Sequence, residues 1–175
     1  TRVTAALPSI RYVLEQGASL VLMSHLGRPK GKGYEVEFSL KPVADHLAKL
    51  LGRPVALAAD CQAADAEVAP LRAGQRLRPA NHRLYMEEEA KVKKTDDLTD
   101  DEFKAKKAEL KDKQKAMARK LASYGEIFVN DAFGTAHRAH ASTAVICKYI
   151  GTSVAGFLME KEIRYLGNAV NNPVR

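Results

Sequence analysis

Apolar and polar positions along this chain follow two rhythms, and each change of rhythm marks an expected element. Across residues 7–16, Ile10, Val13 and Leu14 recur at helical spacing. Pro8 suits a first turn and Gly17 the position just past the end, so a short helix is predicted. Residues 19–23 then run through Leu20, Val21, Leu22 and Met23 without a polar break, the pattern of a parallel strand covered on both faces. The Gly/Lys-rich stretch 27–37 reads as a loop. Ser39 is the candidate N-cap of a helix whose apolar face is Leu40, Val43, Leu47, Leu50 and Leu51, with Gly52 as its stop. Residues 54–58 give another short strand. The alternation predicts an α/β fold class: a three-layer Rossmann-like domain with a mainly parallel sheet flanked by helices on both faces.

The rhythm weakens over residues 87–115. Glu87, Glu88 and Glu89 lead into a Lys/Asp-rich stretch, read as a charged helical excursion. Thr99 and Glu102 have the spacing of a capping box. From there to Ser123, Phe103, Leu110, Met117 and Leu121 recur at spacings of seven, seven and four. One thin apolar stripe among mixed charges predicts a long, mostly solvated helix. Gly125 ends it, and the strand 126–129 follows. A last helix is expected from Gly156 to Val170, broken by Asn171, Asn172 and Pro173. No segment repeats another.

Composition narrows the partners. The chain has 175 residues, 46% of them apolar and 28% charged, the balance of one globular domain with a real core. No apolar run approaches the roughly 20 residues of a membrane helix, so no membrane partner is expected. Cys61 and Cys147 stand apart, without zinc-site spacing, and read as reduced, buried thiols of a cytosolic-type compartment. The net charge of +7 draws anions, whether phosphorylated metabolites or nucleic acid. Only 6% of residues are aromatic and none is Trp, so stacking platforms for a single strand are not evident. Acids also interleave with the bases of 87–115, and nucleic acid is therefore disfavoured.

Candidate chemistry gathers where strands end. Ile127, Phe128 and Val129 run directly into Asn130, Asp131, Gly134, Thr135, His137 and Arg138. Leu20 to Met23 run likewise into Ser24, His25, Gly27 and Arg28. Ligands of open α/β sheets sit outside the carboxyl ends of the strands. Two such ends, each with one His and one Arg, make two walls of an anion pocket, because the guanidinium fork forms paired charge-assisted bonds to phosphate or carboxylate. Asp131 reads as a buried hydrogen-bonding residue that holds its loop. The segment Gly27 to Gly33 is not a Walker-type loop: three residues separate Gly27 from Gly31, and Gly33 stands where Ser or Thr would hold magnesium. Ser24 and Ser142 lie near histidines but not in a nucleophile elbow.

At these residues the chain resembles the phosphoglycerate kinase family. The similarity lies in Met23-Ser24-His25-Leu26-Gly27-Arg28-Pro29-Lys30-Gly31 and in Val129-Asn130-Asp131-Ala132-Phe133-Gly134-Thr135-Ala136-His137-Arg138-Ala139-His140. It extends to Arg2 through Pro8, Phe38 through Ala44, and Gly156 through Glu162, in the same order. The resemblance implies the N-terminal, 3-phosphoglycerate-binding domain of a two-domain, hinge-bending glycolytic enzyme, with a cytoplasmic location. It implies that His25, Arg28, Arg83 and Arg138, with His137 alongside, bind the substrate phosphate. Arg2 would be catalytic, reaching the substrate carboxylate and the phosphoryl group in flight. Mg2+ with ATP or ADP would be bound by the C-terminal domain, the expected partner within the same protein.

Three departures from the family pattern accompany these expectations. The family's opening strand is expected before Thr1 and its nucleotide-binding half after Arg175, so residues 1–175 are read as an incomplete N-terminal domain, inactive alone. At 75–85 the family has an apolar strand ending Glu-Asn-x-Arg-Phe. Here Asn81 and Arg83 keep their places, while Ala80 and Leu84 replace the Glu and Phe, and Arg76, Arg78 and Pro79 enter the strand. Proline removes a ladder donor, and an unpaired buried charge is costly. A rearranged region, a local sequence error and a domain drifted from catalysis all remain open. The alternative function is thus a catalytically degenerate, kinase-like structural or interaction module.

Overall fold

The computed structural model describes residues 2–27, 29, 35–71, 76–78 (main chain) and 81–171. Arg28, Lys30, Pro79, Ala80, Asn172 and Pro173, all named above, lie outside the described residues.

Helix α1 spans Arg2–Glu15, longer than the stripe predicted, and Pro8 sits in its interior rather than its first turn. The apolar face reaches back to Val3 and Ala6, which pack with Leu7, Ile10, Leu14 and Leu47. That continuous packing offsets a proline cost of about 3 kcal/mol. Strand β1 is only Leu20–Val21. Helix α2 is Lys41–Leu51, closed by Gly52 in the left-handed conformation at φ 63°. Leu40, not Ser39, occupies its N-cap position, with Pro42 in the first turn. Ser39 still accepts the Lys41 N–H at 3.3 Å through its hydroxyl. Strand β2 is Ala56–Leu57 and the short helix α3 is Asp65–Val68.

Strand β3, Arg76–Arg78, takes the middle place of a three-stranded parallel sheet ordered β1-β3-β2. Leu77 pairs with Val21 on one side and Ala56 on the other. The altered segment therefore still forms a central strand. Strands β4, Ile127–Asn130, and β5, Thr152–Ala155, form a second parallel pair in register from Ile127↔Thr152 to Asn130↔Ala155. The expected single sheet is thus two parallel sheets among the described residues, with β1 and β4 each paired on one side.

Alternation along β1 and its extension places the layers, because successive side chains of an extended chain face opposite ways. Leu20 and Leu22 join the cluster under α1 and α2. Val21 and Met23 join the opposite cluster, built on Met117, Ala118, Leu121, Ala122 and Phe128. Helices cover both faces, as the α/β reading requires.

Helix α4 is Met86–Glu89, and α5 is Asp100–Ala122. The Thr99–Glu102 capping box is present, with the Glu102 N–H donating to Thr99 Oγ1 at 3.3 Å and the Thr99 N–H to Glu102 Oε2 at 3.0 Å. The helix is mostly solvated, as expected: in its second half Asp112, Lys113, Lys115 and Arg119 stay exposed while Met117, Ala118, Leu121 and Ala122 are buried. The correction falls on two polar residues of the excursion, because Gln114 and Glu88 of α4 are buried. Helix α6 is Phe133–Ala136, a π turn covers Ala141–Val145, and α7 spans Phe157–Asn171. Among the described residues, no helix is long and apolar enough to cross a membrane.

The two thiols differ. Cys61 is fully buried, and burial, then the charges of Asp60 and Glu88, push its thiol up to about 12. Cys147 is exposed. Since the thiolate is the reactive form, Ellman's reagent should consume one thiol quickly in the native protein and the second only on unfolding. Simultaneous reaction of both would contradict this packing.

Candidate functional site

The end of β4 is built by local hydrogen bonds. Asn130 Oδ1 accepts the Ala132 N–H at 3.0 Å, turning the chain into α6. Asp131 Oδ1 accepts the Met159 N–H at 3.0 Å, so it caps the first turn of α7 from a distance. A Cβ at Gly156 would collide with that carboxylate, which explains the glycine. Asp131 thus has the holding role read from its sequence position. Arg138 follows α6, half-buried, and its backbone carbonyl accepts the Thr143 hydroxyl at 3.1 Å. His137 is exposed, and its Nε2 accepts from Arg138 Nε at 3.3 Å.

Asn81 joins the other wall. Its buried amide donates to Leu26 O at 2.9 Å and Phe38 O at 3.1 Å, while Oδ1 accepts the Arg83 N–H at 3.1 Å. One side chain therefore fixes the loop after His25, the chain before α2 and the turn His82–Leu84. The Arg83 side chain is 9% exposed; its Nη2 meets Glu89 Oε1 at 2.7 Å, and its Nε has no partner among the described residues. Glu89 also receives Lys91 at 3.0 Å. His25 packs edge-on against His82 with ring centroids 5.8 Å apart.

Behind this wall lies Glu88, 0% exposed. Its Oε1 accepts the Ser142 hydroxyl at 2.5 Å and its Oε2 the Ser142 N–H at 3.0 Å. His82 Nε2 and His140 Nδ1 approach the same carboxyl at 3.4 Å and 3.6 Å. Burial lowers the basicity of both imidazoles and so favours their neutral forms beside the carboxyl. Burial, then His25 and Arg83, hold His82 down to about 3. Burial, then Arg83 and Arg2, hold His25 down to about 4, and burial lowers His140 as well. Burial pushes Glu88 up to about 7, against the two Ser142 bonds.

These shifts oppose one another in stability. Glu88 binds its proton more tightly when folded, so its contribution is full below its unfolded value of 4.5 and is lost as pH rises through about 7. The histidines bind protons more tightly when unfolded. Their contribution is full above 6.5 and is lost as pH falls toward about 4 for His25 and about 3 for His82. Urea unfolding at a series of pH values should show the Glu88→Gln variant gaining stability more steeply than wild type from 4.5 to 7. Parallel profiles would contradict the assignment.

Arg83 and Arg138 both line a cleft of about 1060 Å³ whose far wall is the Lys106, Leu110 and Lys113 face of α5. Arg2, the first residue of α1, and Arg83 lie close enough to His25 for their charge to lower its basicity. Arg2, His25 and Arg83, from three separate chain regions, therefore share one field, and Arg83 also lines the cleft with Arg138. The cleft carries Lys91, Lys93, Lys106 and Lys113 as well, against Glu87, Glu89 and Glu109, and this excess of cations suits a small, multiply charged anion.

The match to known proteins decides the lineage of this arrangement. A family model described as phosphoglycerate kinase matches residues 1–175. The chain belongs to the phosphoglycerate kinase family. It is 50% identical over 176 aligned residues to the phosphoglycerate kinase of Chloroherpeton thalassium and 51% identical to that of Prosthecochloris aestuarii, in each case across 99% of this chain and 38% of the relative. Solved phosphoglycerate kinase structures from Coxiella burnetii (TM-score 0.73, 32% identity) and Pyrococcus horikoshii (TM-score 0.74, 28% identity) superpose over 99% of this chain and 38% and 39% of theirs. The chain thus spans well under half the length of these relatives.

Of the residues that the phosphoglycerate kinase resemblance selected, Arg2, His25 and Arg83 come together electrostatically, Arg83 and Arg138 line the cleft, and His137 bonds Arg138; Arg2, His25 and His137 do not line the cleft, and Arg28 lies outside the described residues. Glu88, His82, His140 and Gln114 were not anticipated. Gln114 had a signal: it stands in the stripe between Leu110 and Met117, a polar residue at a core position. Glu88, inside a run of three acids, had none.

Proposed function

We propose that this chain supplies the 3-phosphoglycerate half of a phosphoglycerate kinase, the enzyme of glycolysis that moves a phosphoryl group reversibly between ATP and 3-phosphoglycerate, giving 1,3-bisphosphoglycerate and ADP. The observation carrying this reading is the convergence of Arg83 and Arg138 on one cleft, with His25 and Arg2 in the same field. Arg83 and Arg138, joined by Arg28 and His137, hold the substrate phosphate by charge-assisted bonds. His25, neutral, donates or accepts one hydrogen bond rather than adding charge. Arg2 orients the carboxylate for in-line attack on the terminal phosphate of ATP and steadies the charge that spreads over the transferring oxygens.

Magnesium would shield the nucleotide phosphates. In this reading the Mg-nucleotide belongs to the C-terminal domain of the same protein. Ile163, Tyr165, Leu166 and Val170 of α7 are exposed and offer an apolar surface for such a neighbour. A cytoplasmic site of action follows from the glycolytic role. The pairing of β3 on both sides favours a working domain over a degenerate module, since the altered strand keeps its place.

The test compares ligands. By isothermal titration, 3-phosphoglycerate should bind the chain with micromolar-to-millimolar affinity, and glycerate, which lacks the phosphate, should bind far more weakly. Equal affinity for both would remove the phosphate from the account.

A further inference from the structure

We propose that Glu88 is a positioning residue for the anion site, clasping the Arg83 turn to the Arg138–Ser142 segment, and that its protonation is coupled to anion occupancy. The inference rests on the reading of Arg83 and Arg138 as the phosphate-binding pair. Glu88 works through both its side chain and its main chain. The carboxyl takes both Ser142 hydrogen bonds and abuts His82, next to Arg83, and His140, two residues from Arg138. The backbone carbonyl accepts Gln114 Nε2 at 3.2 Å, and the same amide nitrogen donates to Ala139 O at 3.0 Å. Two buried side chains, Glu88 and Gln114, thus hold together the segments that carry the two arginines.

The surroundings make the clasp sensitive to its proton. Glu87 and Glu89 flank Glu88 on α4, His82 and Arg83 face it from the preceding turn, and His140 and Ser142 face it from the π turn. Gln114 closes the α5 side, Cys61 lies within its field, and His25 stacks behind His82. Arg83 is the cation nearest in this set, and Glu89 already shares it. Among the described residues His82 Nδ1 and His140 Nε2 are buried without hydrogen-bond partners, while the other nitrogen of each ring faces the Glu88 carboxyl. An ionised Glu88 competes with a bound anion for the field of Arg83; a protonated Glu88 keeps the clasp by donating its proton and does not compete. Occupancy and protonation must then favour each other reciprocally.

Sulfate is the probe, because its charge stays at −2 across the window from about pH 6 to about pH 8.5, where Glu88 titrates. Calorimetric titration of the full chain should show sulfate affinity falling as pH rises, by up to about tenfold, the equivalent of one pKa unit. Glu88→Gln, which mimics the protonated acid, should bind at high pH as wild type does at low pH, with a flat profile across the window. Ser142→Ala, which removes a bond that favours the ionised form, should move the midpoint to higher pH. A merely structural role would instead lower affinity by the same factor at every pH. Parallel profiles for wild type and Glu88→Gln, or an unmoved midpoint in Ser142→Ala if Glu88→Gln does not fold, would overturn the proposal while Arg138→Ala still loses binding. Sulfate binding indifferent to Arg138→Ala would remove the anion site itself, and this inference with it.

Discussion

Replacing Arg138 with alanine should weaken 3-phosphoglycerate binding by about 10- to 150-fold, and Arg83→Ala should do the same. Each substitution removes charge-assisted hydrogen bonds worth about 1.5–3 kcal/mol to a charged ligand. The two are not equivalent in the free protein. Arg138 is half-buried and bonded to His137, and among the described residues it pairs with no acid that its loss would strand. Arg83 neutralises Glu89, which would keep only Lys91. Some of the Arg83→Ala effect should therefore appear as lost stability, and urea unfolding beside titration calorimetry separates the two. Because both side chains reach one ligand, the double variant should show non-additive losses. Additive losses would mean that the arginines serve separate sites.

Met117→Ala should destabilise the protein by about 2–5 kcal/mol, the cost of a buried methionine deletion with its cavity. Met117 is 1% exposed and lies in the cluster with Leu121, Phe128, Ala141 and Ile146. For a protein of this size the change should lower Tm by about 4–20 °C. Phe103, three turns or more toward the N-terminus and only half-buried, provides the contrast; Phe103→Ala should cost much less. Equal shifts in thermal melts would mean that α5 is uniformly packed or uniformly solvated, and either would contradict the division along its length.

That division shows where sequence reading reached its limit. The thin stripe of Phe103, Leu110, Met117 and Leu121 located α5 and its capping box, but it carried no information on what lay opposite. Burial of Glu88 depends on Ser142, fifty-four positions away, and on two imidazoles whose basicity is lowered chiefly by their own burial. A local pattern cannot report such a partnership, so three consecutive acids read as solvent-facing. The strand ends were different. Apolar runs passing directly into His, Arg, Asn and Asp mark the strand ends in the linear order of residues, and the positions of His25 and Arg138 beside those ends were legible for that reason. Arg76 and Arg78 misled in the opposite direction. They argued against a central strand, yet strand pairing is made by the main chain, and β3 keeps its ladder on both sides.

The most direct test of the anion-site account is residue-resolved. Amide resonances of the labelled chain, followed during titration with 3-phosphoglycerate, should shift together at His25, Arg83 and Arg138, with one shared saturation curve. Shifts confined to other surfaces, such as the exposed face of α7, or different curves for Arg83 and Arg138, would contradict it.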